Sequence, residues 1–408
     1  MTNQPESNRR DFLKGRTALD ALRGKVAESV EGNEAESGRH PSQIDRQLGY
    51  LEQYSKNAMA CEFELMFNLH QYPQSGAGAM EAFQLIDLLE DQMTVYRDHS
   101  EISQLNRNGF DSPIRLEERL FDLLLLAKEI HQLTNGAFDV TSAQLTRVWG
   151  FDKRNGNLPA QTSIDESLER VGTSHLGFDL ESQTIKILKQ GVAIDLGGIG
   201  KGHALDRVAD LLESFGILDF VIHGGQSSVL ARGSSLGVRQ SPISQDSDTP
   251  ESAPHESELD SQRAIESQSS GESESSDSKQ AGWFVGVSHP TVPGVRLCEI
   301  ELRGQALGTS GTGRQGFFHR GKRYGHIIDP RTGWPASHFL STTVVSPSAA
   351  ISDALATAFF VMTQDEVEAY CRTHPAVSAL LMVPDGKQKG QVRLELLNFD
   401  HTNIRMLD

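Results

Sequence analysis

The sequence predicts an α+β fold with mostly antiparallel sheets. Strand-like runs at 220–223, 229–231, 283–288 and 297–303 follow one another with no helical pattern between them. Consecutive strands of this kind imply antiparallel pairing rather than a doubly wound sheet. Further strand-like runs lie near 62–69, 192–196, 341–346, 376–383 and 391–395, and helical patterns cover about 79–92, 116–133, 202–214, 353–362 and 364–373. The 408 residues would permit two or three domains by length alone.

In chain order, residues 1–45 read as a polar extension, disordered or helical, ahead of a main unit spanning 46–400. The segment Asn8-Arg9-Arg10-Asp11-Phe12-Leu13-Lys14 resembles the twin-arginine export motif, but Gly15 to Glu36 is rich in charge where a signal peptide needs an apolar region. The export reading is therefore incomplete, and the cytoplasm is favoured.

The most informative local feature is Ile194-Asp195-Leu196-Gly197-Gly198-Ile199-Gly200-Lys201-Gly202. An apolar run, Val192 to Leu196, reads as a buried strand, and a helical pattern follows with Leu205, Val208, Ala209 and Leu212 on one face. Strand, glycine loop and helix together bring backbone N–H groups close to a phosphate at the positive end of a helix. The loop matches neither the P-loop nor the dinucleotide fingerprint, because no Ser or Thr follows Lys201 and the glycine spacing differs. By itself it reads equally as a tight turn.

Residues 241–280 hold ten Asp or Glu against two Lys or Arg, which is −8 of the formal −17, and contain no aromatic residue. Such a composition buries too little surface to offset ordering entropy. A disordered surface insertion over 234–280 is expected, interrupting a hairpin between Val229-Leu230-Ala231 and Trp283–Val287. A flexible insertion there costs little, because loop closure grows only logarithmically with length.

A second constellation pairs His326-Ile327-Ile328-Asp329-Pro330-Arg331-Thr332-Gly333 with Asp353-Ala354-Leu355-Ala356-Thr357. Ser352 reads as a helix N-cap. Asp353 and Thr357 are four apart, so their oxygens share one helix face. A carboxylate and a hydroxyl there suit a hard cation such as Mg²⁺. The alternative is that Asp353 only complements the helix dipole.

Taken together, these segments resemble the FAD:protein FMN transferase (ApbE-type) family. Asn57-Ala58-Met59-Ala60-Cys61, Tyr96 to Asn106, Gly136-Ala137-Phe138-Asp139-Val140-Thr141, the glycine loop, and His326 to Pro330 with Asp353 to Thr357 match in order. The resemblance implies a two-subdomain tunnelling-type fold and an enzyme that moves FMN from FAD onto a Thr or Ser hydroxyl of a target protein with Mg²⁺. It implies FAD contacts from Met59, Tyr96, Ala137, Phe138, Asp139, Asp195, Lys201 and Ile327. Metal contacts would come from Gly198, Asp353, Ala356 and Thr357, and proton acceptance by His326. A redox flavoprotein is the implied acceptor. Storage of FAD without transfer, or hydrolysis of FAD to FMN and AMP, stand as alternatives. Singly, Tyr96 reads as a packed aromatic, Asp139 as a turn cap, Lys201 as solvated and His326 as a strand-end core residue.

The chain departs from that family in several places. Gly224-Gly225-Gln226-Ser227-Ser228 replaces the usual Gly-Gly-Asp or Gly-Gly-Asn, Ala60-Cys61 replaces Gly-Thr, and Thr309-Ser310-Gly311-Thr312-Gly313 keeps only the Ser-Gly core. No Cys lies in the first 60 residues, so the family's lipoprotein anchor is missing. The three cysteines, Cys61, Cys298 and Cys371, are widely spaced, so buried free thiols are expected rather than disulfides. The net charge of −17 speaks against non-specific nucleic-acid binding. No window approaches 18 consecutive apolar residues, so no membrane-spanning helix is expected.

Overall fold

The computed structural model describes residues 51–153, 156–235, 281–312, 315–384 and 392–407. The expected extension over 1–45 and nearly all of the 234–280 insertion lie outside them.

The strands are β1 (Leu51–Ala58), β2 (Cys61–Asn68), β3 (Ile114–Arg115), β4 (Leu176–Asp179), β5 (Thr184–Ile187), β6 (Phe220–Gly224), β7 (Ser228–Arg232), β8 (Trp283–Ser288), β9 (Arg296–Leu302), β10 (Ala306–Gly311), β11 (Gly316–His319), β12 (Lys322–Gly325), β13 (Ser341–Ser346), β14 (Ser378–Pro384), β15 (Val392–Leu397) and β16 (Ile404–Met406). The helices are α1 (Ser75–Met93), α2 (Glu101–Asn108), α3 (Glu118–Leu133), α4 (Ala143–Val148), α5 (Gln161–Leu168), α6 (Gly200–Ser214), α7 (Ala349–Val361) and α8 (Gln364–Thr373).

Eight strands form one sheet in the order β1-β2-β6-β7-β10-β13-β14-β15, every neighbouring pair antiparallel. The period of two divides its side chains between two cores. Phe63, Leu65, Phe67, Phe220, Ile222, Leu230, Val344 and Leu381 pack into the main core with α1, α6 and α7. Val221, Val229, Ala231, Leu307, Val345, Leu380 and Met382 face Trp283, Val287, Cys298, Ile300 and Leu302 of the sheet β16-β9-β8. Central strands covered on both faces carry apolar runs, which is why Phe220–Ile222 of β6 and Val229–Ala231 of β7 are legible; β13 instead buries Ser341, Thr342, Thr343 and Ser346 beside Val344 and Val345. A third cluster gathers Leu145, Trp149, Phe151, Ile164 and Ile328, with Phe317 and Tyr324 against it. Among the described residues, no helix is long and apolar enough to cross a membrane. Cys61, Cys298 and Cys371 are free thiols, with Cys61 half-buried rather than buried.

Three expectations are corrected. The hairpin across the insertion does not form. Both edges of β7 are taken by β6 and β10, and β8 pairs with β9 in the stacked sheet. Trp283 still reaches back, its indole N–H donating to the Arg232 carbonyl at 2.8 Å. Val192–Leu196 is not a strand. Its backbone is satisfied by the Asn106 side chain, which accepts from Ile194 N at 2.7 Å and donates to Ile194 O at 2.8 Å, and Asp195 N donates to the Val140 carbonyl. Finally, the N-cap of α7 is Ser348, not Ser352. Ser352 lies inside the helix, fully buried, and its hydroxyl meets Ala306 O and Ser346 Oγ. Sequence reading missed β1, β3, β4, β5, β10, the hairpin β11–β12, β16 and helices α2, α4 and α5. These are short, or their polar residues hide the period.

Candidate active site

The glycine loop closes on itself before α6 begins. Asp195 Oδ1 accepts from Gly197 N at 2.8 Å, an Asx-type turn, and Gly200 N donates to Leu196 O at 2.7 Å. Within the first turn of α6, Gly202 makes the decisive packing contact. A Cβ there would lie 2.1 Å from the Ala349 carbonyl oxygen, so α6 and α7 touch backbone to backbone. Gly308 of β10 does the same on the other flank, where a Cβ would sit 2.4 Å from Ser352 O. Asp206 of α6 locks the contact by accepting from Ser348 Oγ, Ala349 N and Ala350 N at 2.7, 2.8 and 2.9 Å. It thereby satisfies first-turn donors of α7 that would otherwise be orphaned.

This approach brings Asp353 against the start of α6. The buried carboxylate accepts from Gly202 N at Oδ2 (2.9 Å) and from Ser228 Oγ at Oδ1 (2.6 Å). Lys201 Nζ lies 3.8 Å from Oδ2, within ion-pair range but beyond a hydrogen bond. The ammonium donates instead to Ser227 Oγ (2.7 Å) and Ser228 Oγ (2.9 Å). Four residues after Asp353, Thr357 Oγ1 donates to the Asp353 carbonyl and meets Ser310 Oγ at 3.1 Å. A Cβ on Gly198 would lie 3.2 Å from Phe138 and 3.6 Å from Thr357 Oγ1, so these three residues are neighbours. The Ala356 carbonyl accepts from Thr342 Oγ1 at 2.8 Å.

Other residues singled out in the sequence stand apart from this hydrogen-bonded set. Asp139 is buried, with Oδ1 accepting from Thr141 N and Oγ1 at 2.7 and 2.6 Å. Its Oδ2 lies 3.0 Å from His131 Nδ1, which also faces the Phe138 carbonyl; the contact is an ion pair rather than an aligned hydrogen bond. The Asp139 carboxylate accordingly holds the His131 pKa above its ordinary value. Met59 and Ala60 form the β1–β2 turn with φ of 49° and 60°. Two consecutive left-handed residues are the hallmark of a type I′ turn, which explains why glycine suits position 60. Tyr96 is 84% exposed, an aromatic face open to stacking. Burial pushes the Cys61 thiol up, with the Lys201 ammonium opposing it.

His326 follows β12, and Ile327 behind it packs on the main core. The hairpin β11–β12 is anchored by Phe317 stacked on Tyr324 (5.4 Å), with Trp149 beside both. Burial lowers the His326 pKa, with nearby Arg323 adding to the shift and the Gln315 carbonyl opposing it. The imidazole is therefore neutral at neutral pH.

Sequence reasoning missed Asp206, and it singled out Asn106, Ser227, Ser228 and Ser310 only as members of matched or altered segments. Position 226 explains one departure. Gln226 is exposed with φ 63°. Asn and Asp enter the left-handed region more readily than Gln, so the usual residues there meet a backbone requirement. The two serines after it are what reach Lys201.

The donor chemistry suits a hard cation. Among the described residues no group of three or more His, Cys, Asp or Glu could hold a metal. One buried carboxylate, the Thr357 hydroxyl and nearby carbonyls fit Mg²⁺, which takes few protein ligands and shares substrate phosphate oxygens. An oxygen donor set, a lysine and a glycine turn side by side define a site suited to a phosphorylated ligand.

The ApbE family model matches residues 59–256 and 263–381, and the chain belongs to the ApbE family. It is 27% identical over 304 residues to the FAD:protein FMN transferase of Haemophilus influenzae, covering 72% of this chain and 75% of that protein. It is 27% identical over 309 residues to the enzyme of the same name from Vibrio cholerae, covering 73% and 79%. The ApbE protein of Thermotoga maritima superposes with a TM-score of 0.66 at 23% identity, over 85% of this chain and 96% of that one. The flavin transferase ApbE of V. cholerae superposes with 0.65 at 23%, over 86% and 97%. These superpositions establish the fold as the mixed helical and antiparallel architecture of those proteins.

Proposed function

We propose that this chain is an Mg²⁺-dependent transferase that moves FMN from FAD onto a Thr or Ser hydroxyl of a target protein and releases AMP. Transfer of FMN to a protein is the activity carried in the names of its relatives. The observation that carries the finer reading is the joining of Lys201, Asp353 and Thr357 at the α6–α7 contact.

The acceptor oxygen attacks the FMN-side phosphorus, the bond to the AMP oxygen breaks, and the hydroxyl proton passes to His326. Such displacements rest on positioning and on neutralising charge at the non-bridging oxygens. Magnesium, when bound, would supply part of that charge neutralisation. Asp353 and Thr357 would hold it, with the backbone oxygens of Gly198 and Ala356. Lys201 adds a fixed positive charge beside the glycine turn. His326, its pKa lowered by burial, is neutral and able to accept a proton at neutral pH. Met59, Tyr96, the Ala137–Asp139 segment, Asp195 and Ile327 complete the FAD pocket in this reading. The acceptor is a redox flavoprotein.

Mass spectrometry of the protein with FAD, Mg²⁺ and a candidate acceptor tests this. The expected result is AMP together with an acceptor heavier by one FMN. AMP with free FMN would indicate hydrolysis, and intact bound FAD would indicate storage; either overturns the transferase reading.

A further inference from the structure

The donors around Lys201 can be counted. An ammonium has three N–H groups. Two are spent, on Ser227 Oγ at 2.7 Å and Ser228 Oγ at 2.9 Å. The third has no hydrogen-bond acceptor among the described residues, since Asp353 Oδ2 stands at 3.8 Å. The Ser228 hydroxyl has one proton, and it goes to Asp353 Oδ1 at 2.6 Å. Its lone pairs can therefore only accept from Lys201, and the direction Lys201 to Ser228 to Asp353 is forced. The Ser227 hydroxyl also accepts from Lys201, yet its own proton meets no acceptor among the described residues.

Two donors are thus left over side by side: one N–H of Lys201 and the O–H of Ser227. Both belong to well-fixed groups. Thr309 N donates to the Ser227 carbonyl at 2.7 Å, pinning the β6–β7 turn to β10. The lysine side chain is about three-quarters buried, at 24% exposure, so its position is set by the serines rather than by solvent. A charged donor and a neutral one, rigid and within a hydrogen bond of each other, match one anionic oxygen that can accept from both.

We propose that Ser227 is a phosphate-binding residue, which with Lys201 grips one non-bridging oxygen of the FAD pyrophosphate. In the same arrangement Ser228 is a positioning residue that ties the lysine to Asp353. This rests on the FAD reading of the site. It also recasts the altered turn at 225–228: the polar contact is supplied one residue later than the position at which the sequence departs from its family.

The test is equilibrium binding of FAD and of riboflavin, followed by flavin fluorescence in EDTA so that no transfer occurs. Ser227→Ala should weaken FAD binding about tenfold, as expected for losing one hydrogen bond to a charged group, and leave riboflavin, which has no phosphate, unchanged. Ser227→Thr keeps the hydroxyl and should restore FAD affinity. Thermal melts of both variants confirm folding. Unchanged FAD binding in S227A, equal loss of FAD and riboflavin, or failure of the Thr variant to restore binding would each overturn the assignment. A wild type that binds no FAD would overturn it together with the function proposed above. Selective loss of FAD in S227A, in a protein that never transfers FMN, would sustain Ser227 and defeat only the transferase reading.

Discussion

The Asp353 cluster and the hairpin that carries His326 are built in different ways. The first lies where α6, α7 and β10 touch backbone to backbone, with glycine at the points of contact and every oxygen of Asp353 occupied. The second stands outside the eight-stranded sheet on two short strands, in a fold where an isolated hairpin would be marginal. Its anchorage is aromatic: Phe317 and Tyr324 against Trp149, whose indole donates to the Gly333 carbonyl at 2.9 Å. On the proposed reading, the charged groups that must be placed accurately sit on the rigid core, and the proton acceptor His326 follows the aromatic-anchored hairpin. Electrostatic stabilisation needs preorganised groups, whereas a base must only come within hydrogen-bond reach when the acceptor arrives.

Substitutions can break each side separately. Asp353→Ala should have the largest effect, abolishing Mg²⁺-dependent turnover, because it removes the carboxylate and leaves Gly202 N–H and Ser228 O–H unpaired. Turnover that persisted, measured by AMP release, would sink the metal assignment. His326→Gln should lower kcat by roughly 10²–10⁴, the usual contribution of a general base. The sign of the pH effect follows from the lowered pKa. Wild-type kcat/KM should be full at pH 7 and fall only as pH drops below 6.5 through the depressed value, and the variant should lose that limb. A limb at or above 6.5 would contradict a buried, neutral imidazole.

Asp206→Ala tests the core side through stability. Three donors at the start of α7 lose their acceptor, so thermal or urea unfolding should report a loss of about 2–3 kcal/mol. Misplacement of Asp353 should lower activity as well, while His326→Gln should leave the melting temperature nearly unchanged. The smallest effect is expected at Gln226→Asn, which relieves a left-handed conformation and should stabilise by about 0.5 kcal/mol. Destabilisation there would mean that the Gln226 side chain, not its backbone, is what the turn requires.

Much of this site was legible because it is local. The helix face shared by Asp353 and Thr357 follows from a spacing of four, and the glycine turn with its helix follows from the run 194–202. The antiparallel sheet was legible because strand-like runs follow one another without helices between them, and because β6 and β7, buried on two faces, carry the apolar runs Phe220–Ile222 and Val229–Ala231. The apolar segment Val192–Leu196 misled for the same reason: it is buried like a strand, but its partner is the side chain of Asn106, 88 residues away. The helix N-cap was misplaced by four residues, because Ser348 and Ser352 are equivalent as local signals. Only the packing of Ser352 against β10 and the capping of Ser348 by Asp206 separate them.

By itself, then, the sequence determined the fold class, the ApbE family and the residue types for hard-oxygen and phosphate chemistry, since these rest on short-range periodicity and ordered motifs. Tertiary structure alone decided which groups meet. Ser228 reaches Asp353 across 125 residues and Gly202 reaches it across 151, and no local pattern encodes either encounter. Each depends on helices α6 and α7 closing to a distance that only glycine permits. That closure also fixes where the Lys201 charge comes to rest.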